Sequence, residues 1–223
     1  MNLNPATAKR LNCALCLRPQ AACICQWIRP TAHQVEVVVL QHPLEVAHAK
    51  GSVRLLHLSL PHSLLAIGEA FAEAALQARI SAPLAARAGP SAPKQAVLLY
   101  PDSPQDQALG LPVPPALAPG LLRDPSGLRL IVLDGTWRKS RKMLYLNPLL
   151  QQLPRLALQD MPASSYRIRK AHKPDQLSTL EAVCAALAQL EGQAAPFEPL
   201  LAAFDGFVAQ QQACRVQAGK MTA

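Results

Sequence analysis

The chain has 223 residues, half of them hydrophobic, with 22 Lys/Arg against 14 Asp/Glu and a formal net charge of +8. That length suits one domain with a small appendage, and the apolar content is enough for a buried core. No apolar run reaches the roughly 18 residues of a membrane span, and the N-terminus lacks the apolar stretch of a secretion signal, so the expectation is a cytosolic (cytoplasmic) protein with no membrane partner and reduced thiols.

Residues 1–30 hold four of the six cysteines, spaced Cys13-x2-Cys16-x6-Cys23-x-Cys25. Where thiols stay reduced, this spacing reads as a tetrathiolate metal site, with Zn²⁺ the metal it suits. Four thiolates fill a tetrahedral shell and leave no position for water, so the metal would be structural. Disulfides in an exported protein, or unliganded thiols, are the alternatives. Lys9, Arg10, Arg18 and Arg29 accompany the cysteines with no acid. Cys184 and Cys214 lie in apolar, helix-like stretches and read as buried small residues.

Beyond this knuckle, residues 31–223 read as alternating strands and helices. A buried type of strand spans 35–41 and is broken by His42-Pro43. A helix over 51–60 faces the core through Val53, Leu56 and Leu60. A short strand, 63–67, precedes an Ala-rich helix ending near 78. Residues 83–125 hold ten of the 21 prolines and read mainly as linker and loop, interrupted by a strand over 96–100. Then come a strand over 129–133, a helix over 137–146, a short strand at 155–158, a polar loop at 160–176, and helices over 178–190 and 198–214. This order implies an α/β fold with a mostly parallel sheet. Gly-x-Gly-x-x-Gly, Walker A, nucleophile-elbow and His-Glu-x-x-His sequences are all missing.

Four stretches carry chemistry. The first is Asp134-Gly135-Thr136-Trp137, at the end of an apolar strand, where open α/β sheets place ligands. Asp134 reads as a general base or substrate anchor; its bland reading is an Asx-turn or a helix cap. Thr136 can cap the next helix, and Trp137 is either core or a pocket wall for a base. Arg138, Lys139, Arg141 and Lys142 then open that helix, where the macrodipole disfavours cations, so an external anion is implied. Arg138, Arg141 and Lys142 share one helical face. From Asp134 to Lys173, nine Lys/Arg stand against Asp134 and Asp160, a local excess of +7. Such a field is the footprint of a polyanion, RNA above all, unless it is simply a solvated face.

The second stretch is Tyr166-Arg167-Ile168-Arg169-Lys170, in which an aromatic can stack on a base while guanidiniums hold phosphates. Third is Ser178-Thr179-Leu180-Glu181, a capping-box sequence that leaves room for a ligand at the same helix start. Fourth is His42-Pro43-Leu44-Glu45 with His48 and Lys50, suited to acid–base, ligand or, more remotely, metal roles.

Together, in this order and over nearly the whole chain, the cysteine set, His42-Pro43-x-Glu45, Asp134-x-Thr136-Trp137, Tyr166-x-x-Arg169 and Ser178-Thr179-x-Glu181 resemble the DTW-domain family. The resemblance implies a tRNA-uridine aminocarboxypropyltransferase that moves the 3-amino-3-carboxypropyl group of S-adenosylmethionine to N3 of a uridine in tRNA. It implies a SPOUT-like sheet whose C-terminal segment forms a trefoil knot around the cofactor. It also implies site roles: Asp134 as the base; Tyr100, Pro101, Leu133, Thr136, Trp137, Arg167, Arg169, Ser178 and Thr179 around the cofactor; and Arg138, Arg141, Lys142, Tyr166 and Lys170 on RNA. The insert 83–93 and Lys173-Pro174-Asp175 depart from the pattern. A SPOUT-like RNA methyltransferase and a non-catalytic zinc-knuckle RNA-binding protein are the competing readings.

Overall fold

Short apolar runs pair side by side, and the two central ones are buried on both faces. The computed structural model describes residues 11–82, 84, 94–101, 110–158 and 177–220, with side chains as far as 214. In chain order the strands and α-helices are β1 (Glu36–Gln41), α1 (Val53–Ser59), β2 (Ser63–Ile67), α2 (Glu73–Ser81), β3 (Gln95–Leu99), β4 (Leu128–Asp134), α3 (Trp137–Leu146), α4 (Pro148–Gln151), β5 (Arg155–Leu156), α5 (Thr179–Glu191) and α6 (Glu198–Lys220). The sheet order is β2-β1-β4-β3-β5 and every pairing is parallel. The expected α/β class with a parallel sheet is observed.

Alternation along each strand divides the core into two layers. Val37, Val39, Val97, Leu130 and Val132 pack with Val53 and Leu56 of α1, Leu180 and Val183 of α5, and Phe204 and Phe207 of α6. Val38, Leu40, Leu98 and Ile131 pack on the other face with Leu76 and Ile80 of α2, Met143 and Leu144 of α3, and Leu150 of α4.

Connections leave the two central strands in opposite directions. From β1 the chain turns to β2 on one side; from β4 it passes β3 to reach β5 on the other. The C-terminal ends of β1 and β4 therefore flank a topological switch point, and the register sets Gln41 opposite Asp134 there.

At the other end of the same strand pair, Glu36 sits opposite Arg129, and both side chains are essentially inaccessible. Arg129 Nε and one terminal nitrogen donate to Glu36 Oε2, and Nη1 donates to the Arg79 carbonyl at 2.9 Å. That carbonyl belongs to the last turn of α2, so the guanidinium also caps a helix C-terminus. The sequence reading began the strand at Arg129 without finding its partner.

Most expected elements are present within a few residues of their predicted limits. The last helix continues to Lys220, past the expected 214, and the short α4 was not expected. Cys184 is buried, and burial pushes its thiol up to about 12. Cys214 is only half-buried, a correction to the reading of both as core residues. The described parts of 83–125 are loop and 3-10 turns apart from β3. The insert 83–93, except Leu84, and Tyr166, Arg167, Arg169 and Lys170 lie outside the described residues.

Breaking the buried pair by Glu36→Ala should cost about 3–5 kcal/mol in urea unfolding, because the guanidinium is left buried without its counter-ion. The double replacement Glu36→Leu/Arg129→Met should recover most of that loss, giving a midpoint closer to wild type than either single variant.

Candidate active site and metal knuckle

Asp134 is buried at the end of β4, and its two carboxylate oxygens bond to two other elements. Gln41 Nε2 donates to Oδ2 at 2.9 Å, and Thr179 Oγ1 donates to Oδ1 at 2.6 Å. The His42 backbone N–H donates to the Asp134 carbonyl at 2.9 Å. One carboxylate thus ties β1, β4 and the start of α5 together at the switch point. The capping role belongs to its neighbour: Thr136 Oγ1 accepts from Lys139 N at 3.4 Å and caps α3.

The start of α5 is closed by its own side chains. Ser178 Oγ accepts from Glu181 N at 3.2 Å, and Glu181 Oε2 accepts from Ser178 N at 2.7 Å, so the capping box is formed. Ser52 Oγ accepts the next N–H, from Leu180, at 3.3 Å. Gly192 ends the helix with φ 67°, a left-handed turn that glycine adopts without a Cβ penalty. Ser178 and Glu181 are thereby committed to the helix, while Thr179 reaches Asp134.

Trp137 is about half-exposed and meets the buried Tyr100 ring edge-to-face at 5.8 Å. The Arg155 guanidinium lies 5.0 Å from the centre of the same Tyr100 ring. Pro101 is exposed beyond β3, and Leu133 is half-buried on the layer beneath α3. Tyr100, Pro101, Leu133, Trp137 and Thr179 all stand at the ends of β3, β4 or α5. The strand ends therefore combine an anion with a half-open aromatic surface.

The cationic face of α3 is partly neutralised. Lys139 pairs with Glu45 at 2.7 Å, and Lys142 pairs with Glu69 at 2.9 Å. Glu69 also accepts from His42 Nε2 at 3.0 Å, and His42 Nδ1 accepts from Leu44 N, so the proton sits on Nε2. The Lys142 hydrogen bond, then that of His42, holds the Glu69 carboxyl below the usual carboxylate range. Arg138 is exposed and Arg141 half-buried. Four uncompensated cations were expected here; two have acid partners 94 and 73 residues away in the chain. These pairings also separate the roles of the His42 stretch: His42 and Glu45 turn to different partners, and the four-cysteine cluster is the one group among the described residues that could hold a metal ion.

In that cluster all four Sγ atoms lie within 4.8 Å of one another, with Cys13–Cys25 at 3.6 Å and Cys16–Cys23 at 3.8 Å. Tetrahedral metal–thiolate bonds of about 2.3 Å require sulfurs about 3.8 Å apart, so the donor set fits Zn²⁺. Backbone N–H groups of Cys16 and Leu15 lower the Cys13 thiol to about 6, whereas burial, then the Cys13 thiol, pushes Cys25 up to about 12. The knuckle is anchored on the main body. Arg18 donates to the carbonyls of Ala49 and Gly51 at 2.6 and 2.8 Å and covers the Phe207 ring. Trp27 Nε1 donates to Gln210, which donates in turn to the Cys23 carbonyl at 3.1 Å. Ile24 is fully buried in the same layer as Leu56 and Phe207.

Comparison with known sequences adds a family to this geometry. The DTW domain profile matches residues 10–212. This chain belongs to the DTW domain family. It is 29% identical to the Mus musculus protein named tRNA-uridine aminocarboxypropyltransferase 2 over 191 residues, covering 82% of this chain and 57% of that one. The Drosophila melanogaster protein of the same name is 28% identical, over 83% of this chain and 68% of its own. An Arabidopsis thaliana protein named tRNA-uridine aminocarboxypropyltransferase A is 32% identical over 61% of this chain and 51% of its own. The chain therefore spans a little over half the length of the mouse relative. No solved structure matches it.

Within this DTW domain, His42, Asp134 and the Ser178–Glu181 turn converge at the C-terminal ends of β1 and β4. Gln41 and Glu69 complete that end and were missed by sequence reasoning. The polar Gln41 directly after the apolar run 37–40 was the one available signal. Among the described residues no helix is long and apolar enough to cross a membrane.

The knuckle's anchorage makes a test. A Cβ on Gly206 of α6 would overlap the Trp27 ring. Gly206→Ala should therefore destabilise the fold by about 1–3 kcal/mol, as overpacking does, and loosen the knuckle. Urea unfolding with a parallel assay of bound metal checks both effects.

Proposed function

We propose that the chain transfers the 3-amino-3-carboxypropyl group of S-adenosylmethionine to N3 of a uridine in tRNA, releasing methylthioadenosine. The observation that carries this reading is the buried Asp134 carboxylate, fixed at the switch point of a DTW domain. The names of the curated relatives supply the reaction class. When bound, the donor supplies an electrophilic carbon next to a sulfonium that leaves as a neutral thioether.

The protein's part is binding, orientation and proton removal. Asp134 receives the N3 proton and yields it to water, while the electron pair left on N3 makes the new C–N bond and the C–S pair stays with sulfur. Trp137 and Tyr100 offer an aromatic surface for a purine, beside Pro101, Leu133 and Thr179. Arg167 or Arg169 clamps the methionine carboxylate, which turns the propyl carbon rather than the methyl toward the nucleophile. Thr136 and Ser178 serve the site through the helices that they cap. Arg138, Arg141, Lys142, Tyr166 and Lys170 hold the tRNA. Cys13, Cys16, Cys23 and Cys25 hold one structural Zn²⁺. The same reading assigns the chain a SPOUT-like fold with a C-terminal knot, divided into the knuckle (1–30) and a catalytic domain (31–223). A cytoplasmic location belongs to the same reading, because its reducing conditions keep the four thiols available to the metal.

Mass analysis of nucleosides from tRNA incubated with the protein and S-adenosylmethionine tests the reading. A uridine heavier by the aminocarboxypropyl group is expected; a methyl adduct would make the protein a methyltransferase, and no adduct would leave it an RNA-binding protein. Asp134→Asn should slow transfer about 10²–10⁴-fold with tRNA binding retained. Metal analysis should find one zinc per chain, lost in Cys23→Ser/Cys25→Ser. Zinc should also be released on acidification, because protons compete with the metal for the four thiolates. Replacing Arg138, Arg141 and Lys142 by Ala should flatten the log-affinity versus log-salt slope for tRNA by about two units. The full value for three contacts is not expected, because Lys142 already has Glu69 as a partner.

A further inference from the structure

Gln41 has no role in the reaction as proposed so far, yet it is buried and holds the central carboxylate. A buried amide is costly unless hydrogen-bonded, and the parallel register delivers this one to Asp134. Gln41 Nε2 serves Oδ2 at 2.9 Å and Thr179 Oγ1 serves Oδ1 at 2.6 Å, so each oxygen has its own side-chain donor from a different element. Both groups are neutral, so neither adds charge; each favours the carboxylate over the carboxylic acid by donating to it. Burial alone acts the other way, because a low dielectric disfavours the charged form.

We propose that Gln41 and Thr179 are positioning residues that keep Asp134 ionised and fixed in one rotamer, ready to accept the proton of the incoming nucleobase. The inference rests on the transfer reaction proposed above. The other charged or titratable groups on the elements around Asp134 are mostly engaged elsewhere. His42 beyond β1 bonds to Glu69; Glu181 on α5 closes the capping box; Lys139 on α3 pairs with Glu45; and Arg54 on α1 donates to the Leu15 carbonyl. Arg155 lies over Tyr100, and Arg138 on α3 is exposed. Gln41 and Thr179 are thus two neutral side-chain donors held directly on this carboxylate.

Single-turnover transfer into tRNA, followed by nucleoside mass analysis from pH 5 to 9, reads the effect. Wild type should be flat down to the lowest pH. Gln41→Leu and Thr179→Val should each raise the acid limb by about one pH unit, a tenfold change in proton affinity, and so slow transfer at the acid end of the range. Thr179→Ser keeps a hydroxyl donor and should leave the acid limb at the wild-type position. Wild-type profiles in both Gln41→Leu and Thr179→Val would overturn the inference while leaving the transfer reaction standing. If wild type transfers nothing, the reaction assigned to the site fails. Carbon-13 titration of the Asp134 carboxyl in wild type and the two variants then decides the clamp by itself: a higher Asp134 pKa in the variants supports it, and an unchanged one overturns it. Circular dichroism of each variant separates a shifted limb from a lost fold.

Discussion

The Asp134 carboxylate accepts hydrogen bonds from Gln41 on the neighbouring strand and from Thr179 at the start of a helix that follows 45 residues later. Buried charge persists only when donors replace its lost water, and here two elements supply them. The sheet order makes this meeting available: β1 and β4 are adjacent, parallel and in register, and their connections diverge. The chemistry assigned to the domain gathers around that anion. Trp137 leaves the same strand end as the first residue of α3, and Tyr100 ends the strand beyond.

A continuous set of contacts joins this anion to the metal knuckle. Arg18 of the knuckle holds the carbonyls of Ala49 and Gly51, Ser52 accepts from Leu180, and Thr179 reaches Asp134. The knuckle thereby supports the turn before α1, and that turn supports the start of α5. On the opposite side, Glu69 and Glu45 draw α3 onto the loops after β1 and β2 through Lys142 and Lys139. These two acids also lower the positive field of α3.

Much of this was legible because local chemistry dictates it. Apolar runs bounded by Pro, Gly and Asp gave the strands, and Thr136 and Ser178 announced the two helix starts that they cap. The cysteine spacing described one cluster, and the sulfurs do converge. What escaped depends on register and on pairs far apart in the chain. Glu36 and Arg129 are 93 residues apart and meet because two parallel strands align. Gln41 looked like the polar end of a strand until that same register set it against Asp134. Glu45 and Glu69 read as loop acids, and their pairing with α3 reduced a basic run that looked wholly available to RNA.

The proposed reacting centre lies at the carboxyl ends of β1, β3 and β4. A crystal structure of the protein with methylthioadenosine, the proposed product, tests this most directly. The account predicts the purine against Trp137 and the thioether sulfur within reach of Asp134. A ligand bound at the opposite edge, near Glu36 and Arg129, or held by the knuckle, would contradict it.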